Sequence, residues 1–229
     1  IIKRGCVMSV IFDFNGTIIF DKVIVEESWQ QFFYNHTGVK YTTQQLNQYI
    51  HGFNPDVTIK HFIKGNFTKK QLQDLIDEKE SIYRQLCQKH QNGIYKLAGG
   101  IEKFFDELKK RNISFTIATA APKSNVDFFY DSLKLDRWFK KDDIVCSDHS
   151  LPSKPNPEIY LRAAKKINAD IKECVIFEDA KSGIQAAINA KAKTVVGVSS
   201  LLSKKQLQQL GADIIIENYQ DLDLLLKIV

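Results

Sequence analysis

The sequence predicts an α/β doubly wound domain, a parallel sheet covered by helices and interrupted by one all-helical insert. Three observations carry this. Six short segments are rich in β-branched and aromatic residues, and several are apolar at consecutive positions, as strands buried on both faces must be. Segments with apolar residues at helical spacing alternate with them, the pattern of β-α-β crossovers. Between about Val23 and Tyr95 that alternation stops and only helical periodicity remains.

The elements follow in order. The first strand is expected over Val7–Phe14. The insert opens with Trp29, Phe32 and Phe33, continues through Leu46, Tyr49 and Ile50, then Ile59, Phe62 and Ile63, and closes with Leu72, Leu75, Ile76, Ile82 and Leu86. Thr42 with Gln45 and Thr68 with Gln71 have the spacing of capping boxes, in which each side chain satisfies the other's free backbone N–H. Beyond the insert, Ile101, Phe104, Phe105 and Leu108 mark a helix, followed by strands at Ile113–Thr119 and Asp143–Ser147. Asn156 precedes Pro157, which suits a first helical position, and Ile159, Tyr160, Ala163, Ala164 and Ile167 repeat behind it. Strands at Cys174–Glu178, Thr194–Val198 and Asp213–Ile216 complete the sheet, with a third capping box at Ser203 and Gln206. The expected division is residues 1–22 and 95–229 for the α/β core and 23–94 for the helical insert.

Composition narrows the function classes. With 229 residues, 44% hydrophobic and 26% charged, the chain is long and apolar enough to bury a core without metal or disulfide staples. Net charge is +5, but the basic pairs Lys69-Lys70, Lys109-Lys110, Lys140-Lys141, Lys165-Lys166 and Lys204-Lys205 are scattered, so no nucleic-acid stripe is expected. Cys6, Cys87, Cys146 and Cys174 form no CxxC pair, and the histidines, His149 among them, show no ligand spacing. No apolar run approaches the roughly 20 residues of a membrane span. A cytoplasmic monomer without membrane or nucleic-acid partners is expected.

In open α/β sheets ligands bind beyond the carboxyl ends of the strands. There this sequence places Asp13-Phe14-Asn15-Gly16-Thr17, Thr119-Ala120-Ala121 and Glu178-Asp179, with Lys154-Pro155 opening the helix after the third strand. Clustered carboxylates repel unless a hard cation joins them, and Mg²⁺ favours one or two carboxylates together with waters and substrate phosphate. A hydroxyl, free backbone N–H groups and a lysine suit phosphate oxygens. An aspartate so placed can act as a nucleophile and form an aspartyl-phosphate.

These segments resemble, in order and spacing, the four motifs of the haloacid dehalogenase superfamily, in its phosphatase and β-phosphoglucomutase-like branch. Asp-x-Asp-x-Thr after a hydrophobic strand appears as Asp13-Phe14-Asn15-Gly16-Thr17. The strand-end Ser or Thr is Thr119, the Lys-Pro is Lys154-Pro155, and the acidic motif is Glu178-Asp179 with Gly183 in the helix that follows. The resemblance implies a Rossmann-like parallel sheet core with an inserted all-helical cap domain, Mg²⁺, and a small phosphorylated substrate. It casts Asp13 as nucleophile and metal ligand, Asn15 as a carbonyl ligand, and Glu178 and Asp179 as the remaining metal acids. Phe14, Asn15, Thr119, Ala120 and Lys154 become the phosphate clamp, and His51, followed by Gly52, a cap residue facing the site.

One position departs from the family. Where the resemblance implies a second aspartate, the acid that protonates the leaving oxygen and then activates water, this chain has Asn15. An amide does neither. The resemblance also puts Val25 and Pro55 where a phosphosugar mutase would carry a histidine and a phosphate-gripping arginine. The expectation is therefore a Mg²⁺-dependent phosphatase working through an aspartyl-phosphate, slow or suited to good leaving groups. The alternatives are a catalytically impaired phosphometabolite binder and a phosphosugar mutase.

Overall fold

The computed structural model describes residues 8–229 apart from Gly52, Asn92, 148–150 and the side chain of Asn47. Val7, Cys6, Gly52 and His149, named above, lie outside the described residues.

Six parallel strands form one sheet in the order β3-β2-β1-β4-β5-β6: β1 Ser9–Phe12, β2 Ser114–Pro122, β3 Val145–Ser147, β4 Cys174–Glu178, β5 Thr194–Val198 and β6 Ile214–Ile216. β1 is central, with Phe12 in register with Ile117 of β2 and Phe177 of β4. All four of its residues are buried because helices cover both faces. Side chains alternate accordingly. Val10 and Phe12 join the cluster containing Phe104, Phe105 and Tyr219, whereas Ile11 joins the opposite one with Ala163, Ile176 and Ile184.

Between β1 and β2 the chain runs through α1 Lys22–Thr37, α2 Thr43–Asn47, α3 Pro55–Phe62 and α4 Lys69–Lys89, then α5 Ile101–Lys110. No described residue from 22 to 94 is in a strand. Trp29, Phe32 and Phe33 of α1 are buried, as are Ile76, Ile82 and Leu86 of α4, the helix packed against it. All three expected capping boxes form. The remaining α-helices among the described residues are α6 Lys123–Ser132, α7 Glu158–Lys166, α8 Lys181–Asn189, α9 Lys204–Gln209 and α10 Leu222–Ile228.

Several boundaries differ from expectation. β1 ends at Phe12 rather than Phe14, whose carbonyl accepts from the Ile18 N–H at 2.8 Å and closes a turn, while β2 starts at Ser114, β3 at Val145 after the 3-10 turn Lys141–Asp143, and β6 at Ile214. α7 starts one residue after Pro157, and the Asn156 side chain accepts from the Glu158 N–H at 3.0 Å, capping across the proline. β2 continues three residues past Thr119, because its pairing with β3 resumes at Pro122 and Ser147 after a register shift. Thr119 therefore lies inside an irregular strand end.

Candidate active site

The carboxyl end of β1 positions Asp13, whose backbone N–H still donates to Phe177 at 3.0 Å and so extends the pairing with β4. The next residues turn sharply. Gly16 has a φ of 81°, and a Cβ there would overlap the Asp179 carboxylate, so only glycine lets the two segments approach this closely. Its N–H donates to the Ile19 carbonyl at 2.7 Å.

Asp13, Glu178 and Asp179 offer carboxylate oxygens within 4.8 Å of one another, and all three are buried. Lys154 reaches into this group from the start of the α7 segment. Its Nζ lies 2.7 Å from Asp13 and 2.5 Å from Glu178. Glu178 is further tied down: one oxygen also accepts from the Tyr160 hydroxyl at 2.7 Å, and the other from the Asp179 and Ala180 N–H groups at 2.9 and 3.0 Å. Gly183 makes room for that carboxylate, since a Cβ there would overlap it.

The electrostatics follow from burial. Desolvation and the neighbouring Glu178 push the Asp13 carboxyl up to about 7, and the same causes, with Asp13, hold Asp179 well above the usual carboxylate range. Burial opposes the Lys154 ammonium, yet Asp13 and Glu178 together keep its pKa above that of an ordinary lysine. One lysine thus stands against three buried carboxylates. That surplus of negative charge, with oxygen-only donors, fits a hard divalent cation.

Thr119 and Ala120 line the same cavity as Asp13, with the Thr119 hydroxyl accepting from the Ala121 N–H at 3.1 Å. The Phe14 side chain points away and stacks on Phe129 at 4.3 Å, which leaves only its main chain toward a ligand. His51 comes from the loop before α3 and lines the cavity, its Nε2 3.5 Å from Glu26. The helices sit over the rim through specific contacts: Asn54 donates from its backbone to Ser153 at 3.0 Å and from its side chain to the Leu151 carbonyl at 3.3 Å.

Several residues here were not singled out from sequence. The Asn15 side-chain amide donates to Asp21 at 2.7 Å and to the Tyr83 hydroxyl oxygen at 3.0 Å, while the Tyr83 hydroxyl donates to Asp21 at 2.5 Å. Burial raises the pKa of both Asp21 and Tyr83. Ser200, beyond β5, donates to the Gly16 carbonyl at 2.5 Å and lies 3.4 Å from Asp179. From sequence Tyr160 reads only as part of an apolar helix face. Asp21 alone carried a signal, as an acid eight residues after Asp13 in the segment leading to the insert.

A family model for haloacid dehalogenase-like hydrolases matches residues 10–197. Among curated proteins, a phosphorylated carbohydrates phosphatase of Thermotoga maritima is 25% identical over 96% of this chain and 99% of its own. Among solved structures, a hydrolase of the same superfamily, family IA variant 3, from Entamoeba histolytica is 33% identical, with a TM-score of 0.84 over 93% of this chain and 94% of that one. A hydrolase from Pseudomonas syringae gives 26% identity and a TM-score of 0.81 over 97% and 99% of the two chains. The match runs from the first strand into β5 and takes in Asp13, Thr119, Lys154, Glu178 and Asp179, and the chain belongs to the haloacid dehalogenase-like hydrolases.

Proposed function

We propose that this hydrolase is a Mg²⁺-dependent phosphatase acting on a small phosphorylated metabolite, with Asp13 as nucleophile. The observation that carries the reading is the buried cluster of Asp13, Asp179 and Glu178 around the single ammonium of Lys154. Asp13, the Asn15 carbonyl and Asp179 would hold the ion, with Glu178 in or beside its first shell. When bound, Mg²⁺ supplies positive charge against the phosphoryl oxygens and the paired acids.

The chain's own residues do the rest. An Asp13 oxygen attacks phosphorus, and the new O–P bond forms as the bond to the leaving oxygen breaks, that oxygen departing with its electron pair. Lys154 and Thr119 hold the phosphoryl oxygens, and Lys154 also limits repulsion between Asp13 and the incoming dianion. Water then attacks the aspartyl-phosphate, losing a proton to solvent, and inorganic phosphate leaves with Asp13 restored. Asn15 has no proton to give the leaving oxygen, so acyl and aryl phosphates suit the site better than alkyl ones. We further propose that residues 23–94 act as a cap, with His51 facing the substrate from it.

A second reading is a binder with little turnover. It is favoured by the commitment of both Asn15 amide contacts to Asp21 and Tyr83. Turnover of acetyl phosphate and p-nitrophenyl phosphate with and without Mg²⁺ separates the two. A phosphatase loses all turnover in Asp13→Ala and loses Mg²⁺ dependence together with activity in Asp179→Ala. Wild-type rates in Asp13→Ala overturn aspartyl catalysis, and Mg²⁺-dependent phosphate binding without turnover establishes the binder.

A further inference from the structure

Beyond Asp13 the cavity wall has an unusual charge balance. Its charged side chains away from the nucleophile are Lys22 and Lys79 against Asp21 and Glu80, with His51 close by. Of these only Lys79 is hydrogen-bonded to a carboxylate, Lys22 and His51 lying farther from Glu26. Lys79 Nζ is 3.0 Å from Glu80, Lys22 Nζ is 3.9 Å from Glu26, and His51 Nε2 is 3.5 Å from Glu26.

The Lys79–Glu80 pair is the most constrained. Both residues are buried, and the Lys79 ammonium also sits 4.5 Å from the centre of the Trp29 ring and 5.2 Å from that of Tyr83. The other Glu80 oxygen accepts from the Asn125 side chain of α6 at 2.5 Å, and Asn125 in turn accepts from Arg84 at 2.7 Å. Glu80 is anchored at both oxygens, so it does not swing aside to release Lys79 for an incoming anion. Separating a buried pair of this kind leaves an uncompensated charge in a low-dielectric site. The cavity is also small, about 80 Å³, against roughly 300–1,000 Å³ for common small-molecule pockets.

We propose that the site selects small monophosphates whose remainder carries no second negative charge, and that the anchored Lys79–Glu80 pair sets this selectivity by withholding the cation a second anion would need. This rests on the phosphatase reading for the phosphoryl end. A neutral polyol remainder meets paired charges it can hydrogen-bond, whereas a carboxylate or second phosphate beside the Lys79–Glu80 pair meets Glu80 and Asp21 with the Lys79 ammonium already held.

The test compares glycerol 3-phosphate with 3-phosphoglycerate, which differ in the remainder and share a primary alkoxide leaving group, at saturating Mg²⁺. Wild type is expected to favour glycerol 3-phosphate in kcat/KM by about tenfold or more. Glu80→Gln, which unmasks Lys79, should shrink that ratio, and Lys79→Gln, which leaves Glu80 uncompensated, should widen it. A purely structural role would shift both variants the same way. Equal or inverted preference in wild type overturns the proposal, and so does an unchanged ratio in folded Glu80→Gln. If neither these compounds nor acetyl phosphate turns over, the phosphatase reading fails by itself. Whenever neither glycerol 3-phosphate nor 3-phosphoglycerate turns over, with or without turnover of acetyl phosphate, selectivity is read from the Mg²⁺-dependent melting shift each compound produces, and an equal or larger shift with 3-phosphoglycerate overturns the proposal.

Discussion

The side-chain amide of Asn15 donates a 2.7 Å hydrogen bond to the carboxylate of Asp21, six residues further along the chain. Tyr83, from the far end of the helical insert, bonds to both partners and closes the triangle. At position 15, where the resemblance implies a general acid, the chain has an amide, and a carboxyl lies one hydrogen bond behind it. The Gly16 N–H donates to the second Asp21 oxygen at 3.2 Å, so the same carboxyl also shapes the turn after Asp13.

The first prediction follows from that geometry. Asn15→Asp sets two carboxyls where an amide and a carboxylate were hydrogen-bonded, and they must share a proton. The single variant should lose about 1–3 kcal/mol of stability at neutral pH. The exchange Asn15→Asp with Asp21→Asn restores the hydrogen bond with its direction reversed and should recover most of that loss. It should also raise turnover of glycerol 3-phosphate by about 10²-fold, the range of general acid–base help, with little gain in single-turnover transfer from acetyl phosphate. Melting temperatures and paired single-turnover rates check both parts. Equal gains for the two substrates would show that position 15 does not govern leaving-group protonation.

The second concerns Lys154, which is buried between Asp13 and Glu178. Lys154→Met strips both carboxylates of their cation and should cost about 3–5 kcal/mol in urea unfolding without Mg²⁺. Adding Glu178→Gln removes one of the stranded charges and should return part of this. A double variant no more stable than Lys154→Met would contradict the pairing.

The third is a pH dependence. Asp13 rises from 3.8 to about 7 in the folded, metal-free protein, and Asp179 also lies well above 3.8. Between these values the folded state binds more protons than the unfolded one, so metal-free stability falls as pH rises from about 4 toward about 7. The slope should approach about 1.4 kcal/mol per pH unit for each group that titrates. Mg²⁺ needs the deprotonated acids, so its affinity should climb over the same window. Melting curves in EDTA and in Mg²⁺ should diverge with pH, and a flat EDTA curve would refute the assignment.

The fourth tests the close packing behind Glu178. Gly183→Ala places a methyl where the Glu178 carboxylate lies and should destabilise by about 1–3 kcal/mol while weakening Mg²⁺ binding. Unchanged Mg²⁺ affinity would separate Glu178 from the metal site.

By itself the sequence determined what short-range periodicity and local chemistry encode. β4 and β5 fall on the expected residues, and the boxes at Thr42, Thr68 and Ser203 form as their spacing demands, because a continuous apolar β-branched run and a capping pair are both local signals. The rim residues Asp13, Thr119, Lys154 and Asp179 were legible for a related reason: a parallel sheet brings its strand ends together whatever the intervening chain does. Tertiary structure alone decided which polar groups satisfy one another. Asn15 meets Tyr83 across 68 residues, Asn125 meets Glu80 across 45, and Lys154 finds Glu178 as well as Asp13. No local pattern encodes such pairs. Closing the helices over the sheet removes water from all these groups at once, and each must then find its partner among whatever side chains the packing has brought within hydrogen-bond reach.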